Sequence, residues 1–259
     1  MRTVKAVRYV TPLREGGSLP GVVEADDDGL YVVKFRGAGQ GSKALVAELV
    51  TGELARAAGL RVPEIVAVEL PPELGRNEPD PEIRELLKGS SGLNVGLDYL
   101  PGSITFDPTV GPAPTAREAS EVVWLDAFVT NVDRTPRNAN LLAWHGKLWL
   151  IDHGASLYFH HAWTTAEGAA RSPFAPVKDH VLLPWASEVS AAGERLAPRL
   201  RDGTIARVLE EVPEAWLAGE PGFATPALHR AAYVRLLEQR LAAAAVFEEE
   251  ARRAFEQLV

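Results

Sequence analysis

The stretch that most constrains the fold runs Leu141-Leu142-Ala143-Trp144, His145-Gly146, Lys147-Leu148-Trp149-Leu150-Ile151. Two short apolar runs around a two-residue turn that ends in glycine predict a β-hairpin. With Trp144 paired to Lys147, antiparallel register sets Leu142 opposite Trp149 and Ala139 opposite Asp152. Directly opposed residues in such a ladder lie ~5 Å apart. Asn138, Asn140 and Asp152 therefore converge at the open end of the hairpin, and Asp133 stands one loop away. Carboxylates and carboxamides gathered at one point form an oxygen-rich site suited to Mg²⁺.

Composition narrows what such a site can serve. The chain has 259 residues, enough for one sizeable core or two small lobes. A net charge of −8 and a pI near 5.4 argue against nucleic-acid binding by bulk electrostatics. Cysteine is absent, which excludes thiol catalysis, disulfides and thiolate zinc sites. No apolar run reaches the ~20 residues of a membrane span and no signal-peptide core is visible, so a cytoplasmic protein is expected.

The first 36 residues read as three strands in an antiparallel meander, Thr3 to Val10, Val22 to Ala25 and Leu30 to Phe35. The glycine-bearing loop Gly16-Gly17-Ser18 lets backbone amides approach phosphate oxygens, though a plain turn explains it equally well. Lys34 ends a strand that is otherwise apolar on both sides, so an inward lysine needs an anionic partner. The next helix, read from a Ser42 cap to Ala58 and closed by Gly59, offers Glu48 among apolar neighbours. Ile65 to Leu70 is a further strand, residues 71–92 a surface insertion, and Leu93 to Leu100 a strand that runs into a Pro-Gly turn. Thr115 to Glu118 has the form of a capping box and starts a helix that delivers the Asn131–Asn140 loop. Residues 164–185 look loop-like, and helix dominates from 186 onward, ending in one long helix from about Pro226 to Val259.

Asp133, then Asn138 five positions on, then a hairpin and Asp152-His153-Gly154, resembles a protein-kinase catalytic loop and its metal-binding aspartate. Closer still is the similarity to HipA-like kinases, carried by Asn138-Ala139-Asn140-Leu141-Leu142 and by Gly59-Leu60-Arg61-Val62-Pro63 after the glutamate helix. Asp133-Arg134 also resembles the phosphoinositide kinases. The chain departs from the protein-kinase pattern in lacking His-Arg before Asp133 and in reading Asp-His-Gly where Asp-Phe-Gly is usual.

The resemblance implies an α+β, two-lobed protein-kinase-like fold: a small antiparallel-sheet N-lobe with one helix over residues 1–100, and a mostly helical C-lobe over 101–259. It implies ATP and Mg²⁺ as cofactors and a hydroxyl acceptor, foremost Ser or Thr of a protein. Asp133 takes the catalytic role, Lys34 contacts the α- and β-phosphates, and Glu48 pairs with Lys34. Asp98, Tyr99 and Leu100 meet the adenine, and Asp152 holds the metal together with Asn138 or Asn140. The five-residue spacing favours Asn138, whereas Asn140 is nearer the strand. Arg134 and Arg137 serve either phosphate charge or a structural ion pair. Three rivals stand beside this reading: a small-molecule kinase, a pseudokinase that binds nucleotide or a partner, and a phosphohydrolase built on His153, His160, His161 and Asp152.

Overall fold

The structure, a computed structural model, describes residues 1–13, 19–39, 41–76, 78–110 and 113–258. The expected phosphate loop Gly16-Gly17-Ser18 lies outside the described residues. Strands β1 (Thr3–Pro12), β2 (Gly21–Ala25) and β3 (Leu30–Lys34) form the expected antiparallel meander. With β4 (Ile65–Leu70) and β5 (Gly92–Asp98), however, they do not make a plain antiparallel sheet. They close into a barrel in the order β1-β2-β3-β5-β4, and the closing pair, β1 with β4, is parallel.

Two register shifts in β1, between Ala6 and Arg8 and between Tyr9 and Thr11, give the physical reason. Such irregularities bend a strand and increase its twist, which curls the sheet until its edges meet. Inward residues Val4, Val23, Tyr31, Val33, Val66 and Val68 then make a core of their own. Residues 71–92 are not merely a surface insertion, because α2 (Pro81–Gly89) sends Ile83 and Leu87 into that core. Their spacing of four places both on one helix face.

Alternation along β3 sends Tyr31 and Val33 inward and turns Lys34 out of the barrel. Helix α1 (Ser42–Ala57) waits there, buried over nearly its whole middle, from Leu45 to Gly52. Its N-cap is Gly41 without a side-chain cap, not Ser42. It stops in a Schellman motif in which Leu60 N–H donates to Ala55 O and Gly59 N–H to Arg56 O, both at 2.9 Å.

Strands β6 (Ile104–Thr105), β7 (Leu141–Trp144) and β8 (Lys147–Leu150) form a second sheet. The hairpin has the predicted register, with Leu142 opposite Trp149 and Trp144 opposite Lys147. Its turn residues His145 and Gly146 take φ of 48° and 68°, as a tight hairpin turn requires. Helix α3 (Ala116–Phe128) starts on the predicted capping box, Glu118 N–H donating to Thr115 Oγ1 at 3.2 Å.

The remainder is helical: α4 (Ala166–Ala169), α5 (Val189–Leu200), α6 (Thr204–Glu210), α7 (Glu214–Leu217), α8 (Pro226–Ala242) and α9 (Ala244–Glu256). The long terminal helix expected from Pro226 is thus two helices, broken at Ala243. One large core joins α1, α3, the hairpin and these helices. Among the described residues no helix is long and apolar enough to cross a membrane.

Candidate active site

Three elements meet at Lys34. Its ammonium donates to Glu48 Oε2 at 2.5 Å and also to Asp152 Oδ1. Strand β3, helix α1 and the loop after β8 are thereby tied at one atom, and the residues expected to pair do pair. Lys34 is 7% exposed and Glu48 fully buried, so the alternative of a solvated lysine and a surface glutamate is ruled out. Burial pulls the lysine down, but the charges of Glu48 and Asp152 outweigh it and hold the group above its ordinary value. For Asp152 burial works upward and Lys34 more than offsets it, leaving an ionised carboxylate. Glu48 is pushed up by burial, which Lys34 only partly counters.

The backbone is shaped to allow this contact. Asp152 sits at φ 54°, a left-handed conformation that Asp tolerates better than most residues. A Cβ on Gly154 would stand 3.3 Å from Lys34 Nζ, so glycine leaves room for the ammonium. Between them, His153 donates its backbone N–H to Glu48 Oε2 at 2.7 Å. The His153 ring is fully buried; burial and the nearby Arg134 charge lower its pKa to about 3, so it is neutral. Its Nδ1 faces the Arg134 guanidinium at 3.3 Å and must accept, which puts the proton on Nε2. That nitrogen is therefore not open to a cation. Among the described residues no group of three or more His, Cys, Asp or Glu is arranged to hold a metal.

Across the hairpin, Asp133 Oδ2 accepts from Asn138 Nδ2 at 2.7 Å and from Asn140 Nδ2 at 3.2 Å. Both carboxamides thus present their nitrogens to Asp133, which leaves each Oδ1 as the atom able to face a cation. The structure brings both asparagines to Asp133, Asn138 exposed and Asn140 7% exposed with φ 49°. Thr135 and Asn138 close the intervening turn with a pair of 3.0 Å backbone hydrogen bonds. Arg137 is exposed on this turn.

Arg134 points the other way and is 1% exposed. It donates through Nε to Asp126 Oδ2 at 2.5 Å, and through Nη1 to the carbonyls of Asn140 and, at 3.4 Å, Ile151. Of its two expected roles, the structural ion pair is the one observed. Burial pushes the Asp126 carboxyl up, yet Arg134 and His180 hold it well below the usual carboxylate range. Neither Asp126 nor His180 is among the site residues expected from the sequence. The available signal was a lone carboxylate between Leu125 and Ala127-Phe128 on a helix otherwise apolar at that end.

Asp98, Tyr99 and Leu100 leave the barrel at the end of β5, next to the start of β3. Asp98 pairs with Tyr31 and Val95 with Lys34, so the segment lies three residues, ~10 Å, along the strand from the lysine. Asp98 N–H is taken by Glu64 O and Tyr99 N–H by Leu30 O. Among the described residues Leu100 N–H has no such acceptor, and Leu100 itself is buried.

Comparison with known proteins bears on the family and the fold. The profile of the HipA-like kinases matches residues 6–248. No curated protein matches the chain. Among solved structures, the Helicobacter pylori proinflammatory kinase CtkA superposes with a TM-score of 0.59 at 12% identity, over 99% of either chain. A Golgi casein kinase with Mn/ADP bound superposes with a TM-score of 0.53, also at 12% identity, over 96% of this chain and 74% of that one. At such identities the two neighbours establish likeness of fold, and the profile match establishes the family. With most of its length inside that match, the chain belongs to the HipA-like kinase family and is a phosphotransferase.

Proposed function

We propose that the protein transfers the γ-phosphate of Mg-ATP to a hydroxyl acceptor, with Ser or Thr of a protein as the acceptor class its family resemblance implies. The observation that carries this reading is the joining of Lys34 to both Glu48 and Asp152, opposite an Asp133 gripped by Asn138 and Asn140. Residues 1–100 act as the nucleotide lobe and 101–259 as the catalytic lobe. The adenine lies against Asp98–Leu100, where Leu100 supplies the free N–H. Lys34 turns from Asp152 toward the α- and β-phosphates while Glu48 keeps it in place.

The donor set suits Mg²⁺, because Asp152 and the Oδ1 atoms of Asn138 and Asn140 are hard oxygens. Bound there, the ion would neutralise phosphate charge and align the groups for in-line transfer. The Mn/ADP carried by the Golgi casein kinase neighbour supports nucleotide and divalent-metal use. Asp133 accepts the proton of the attacking hydroxyl as the phosphoryl group moves, and ADP leaves.

The test is transfer from γ-labelled ATP with Mg²⁺ to a Ser/Thr peptide library and, in parallel, to small hydroxyl compounds. Asp133→Ala should lower kcat by about 100- to 10,000-fold, the usual worth of a positioned base. Asp152→Ala should abolish transfer and also the thermal stabilisation by Mg-ATP. A wild type that binds Mg-ATP but transfers nothing that either substitution alters would be a pseudokinase.

A further inference from the structure

One carboxylate ties the catalytic loop to the loop-like segment 164–185. Asp126 Oδ1 accepts from Asn131 Nδ2 at 3.0 Å, and Oδ2 accepts from both Arg134 Nε at 2.5 Å and His180 Nε2 at 2.9 Å. His180 Nδ1 in turn accepts Leu182 N–H at 3.0 Å, which fixes the neutral tautomer with its proton on Nε2. Beside it, Val181 N–H donates to the Arg134 carbonyl at 3.0 Å. Asp126, Asn131, Arg134 and His180 are all at least nine-tenths buried.

We infer that His180 is a positioning residue for phosphoryl transfer, acting through Asp126 on both loops of the site; this rests on the kinase reading above. The path is short on either side. Asn131 Oδ1 accepts the backbone N–H of Asp133 at 3.1 Å, so the Asp126 cluster sets the catalytic aspartate directly. Arg134 holds the Asn140 and Ile151 carbonyls and the His153 ring, so the same cluster sets the backbone flanking Asp152. Charge in the cluster is balanced by one arginine and one aspartate, and His180 adds a donor without a charge. Its loss leaves Asp126 Oδ2 with a single partner and frees the guanidinium to pivot about it.

Two substitutions separate positioning from folding. His180→Asn keeps an acceptor for Leu182 N–H but cannot reach Asp126, whereas His180→Gln places a donor and an acceptor at about the spacing of the two ring nitrogens. His180→Asn should lower kcat by roughly 10- to 100-fold, the effect of a misplacement near 1 Å. The KM for Mg-ATP should rise by less than kcat falls, because Lys34 and Leu100 keep their own contacts while the backbone about Asp152 loosens, and Gln should restore most of kcat. In hydrogen exchange on the full chain, amides of 131–140 and 151–153 should exchange faster in His180→Asn while barrel amides do not change. An unaltered kcat, a change in KM alone, or faster exchange confined to 177–185 would overturn the inference. A wild type without transfer would sink the kinase reading instead, and the exchange measurement would still judge the positioning.

Discussion

A lysine almost fully removed from water survives in this fold because two carboxylates flank it. Substituting Lys34→Met leaves Glu48 fully buried with only the His153 amide on Oε2. Stranding one member of a buried pair costs about 3–5 kcal/mol, which a shift in the urea midpoint will register. Adding Glu48→Gln keeps an acceptor for that amide and removes the charge, so the double variant should regain much of the stability while phosphate transfer stays lost. A double variant no more stable than the single would contradict the pairing. Lys34 and Glu48 were legible in the sequence because each is a charge in an apolar surround. Asp126 presented the same signal, but its partners come from 5, 8 and 54 positions away, and nothing local marks them.

Among the elements, the hairpin was the most legible, since turn chemistry and apolar alternation act over a dozen residues and fix register together. The capping box of α3 was legible for the same local reason. Barrel closure was not, because the parallel β1–β4 pairing joins strands more than sixty positions apart. Nor was the role of α2, whose two core residues are hidden in a charged, proline-bearing stretch.

Arg240 of α8 is a further case. It is fully buried and donates to the carbonyls of Ala127 and Phe128 at 2.6 and 2.7 Å, and to those of Ala169 and Ser172 at 2.5 and 3.0 Å. The first two are orphan carbonyls at the C-terminus of α3, where helix geometry favours a cation. Burial lowers its pKa to about 10, still charged at neutral pH. Arg240→Met should therefore destabilise the protein by on the order of 4 kcal/mol in chemical denaturation. Arg240→Lys should recover less than half, because one ammonium cannot span four carbonyls.

At the scale of the whole molecule, the histidines set the acid limit. His160 is fully buried, with Nδ1 3.0 Å from Tyr233 Oη, and its ring lies against His161, Phe159 and Tyr233. Burial, with the neighbouring charges of His161, Lys43 and His229, lowers its pKa to about 2. Burial lowers His180 as well, even against the Asp126 carboxylate. In the unfolded chain a histidine binds its proton near pH 6.5. The unfolded state thus holds more protons below that pH, and stability, complete above 6.5, falls as pH drops toward 2. A histidine held as low as His160 removes about 1.4 kcal/mol per pH unit, or about 2 kcal/mol between pH 6.5 and 5. Carboxylates such as Asp126, held low by their partners, are lost from the balance only in more acid solution, and carboxylates that burial raises, such as Glu48, titrate alike in wild type and a histidine variant, so the difference between the two isolates the histidine. His160→Gln keeps a hydrogen-bonding group for Tyr233 and does not titrate. Urea midpoints of wild type should fall steeply from pH 7.5 to 5.0, and His160→Gln should flatten that fall by about one proton's worth. The segment His160 belongs to also accepts Lys43 Nζ of α1 on its backbone carbonyl at 2.8 Å, while the same ammonium pairs with Glu220 at 2.9 Å. Acid should therefore loosen the helical part and its attachment to α1 together, and an identical pH slope in the two proteins would show that His160 protonates in the folded state.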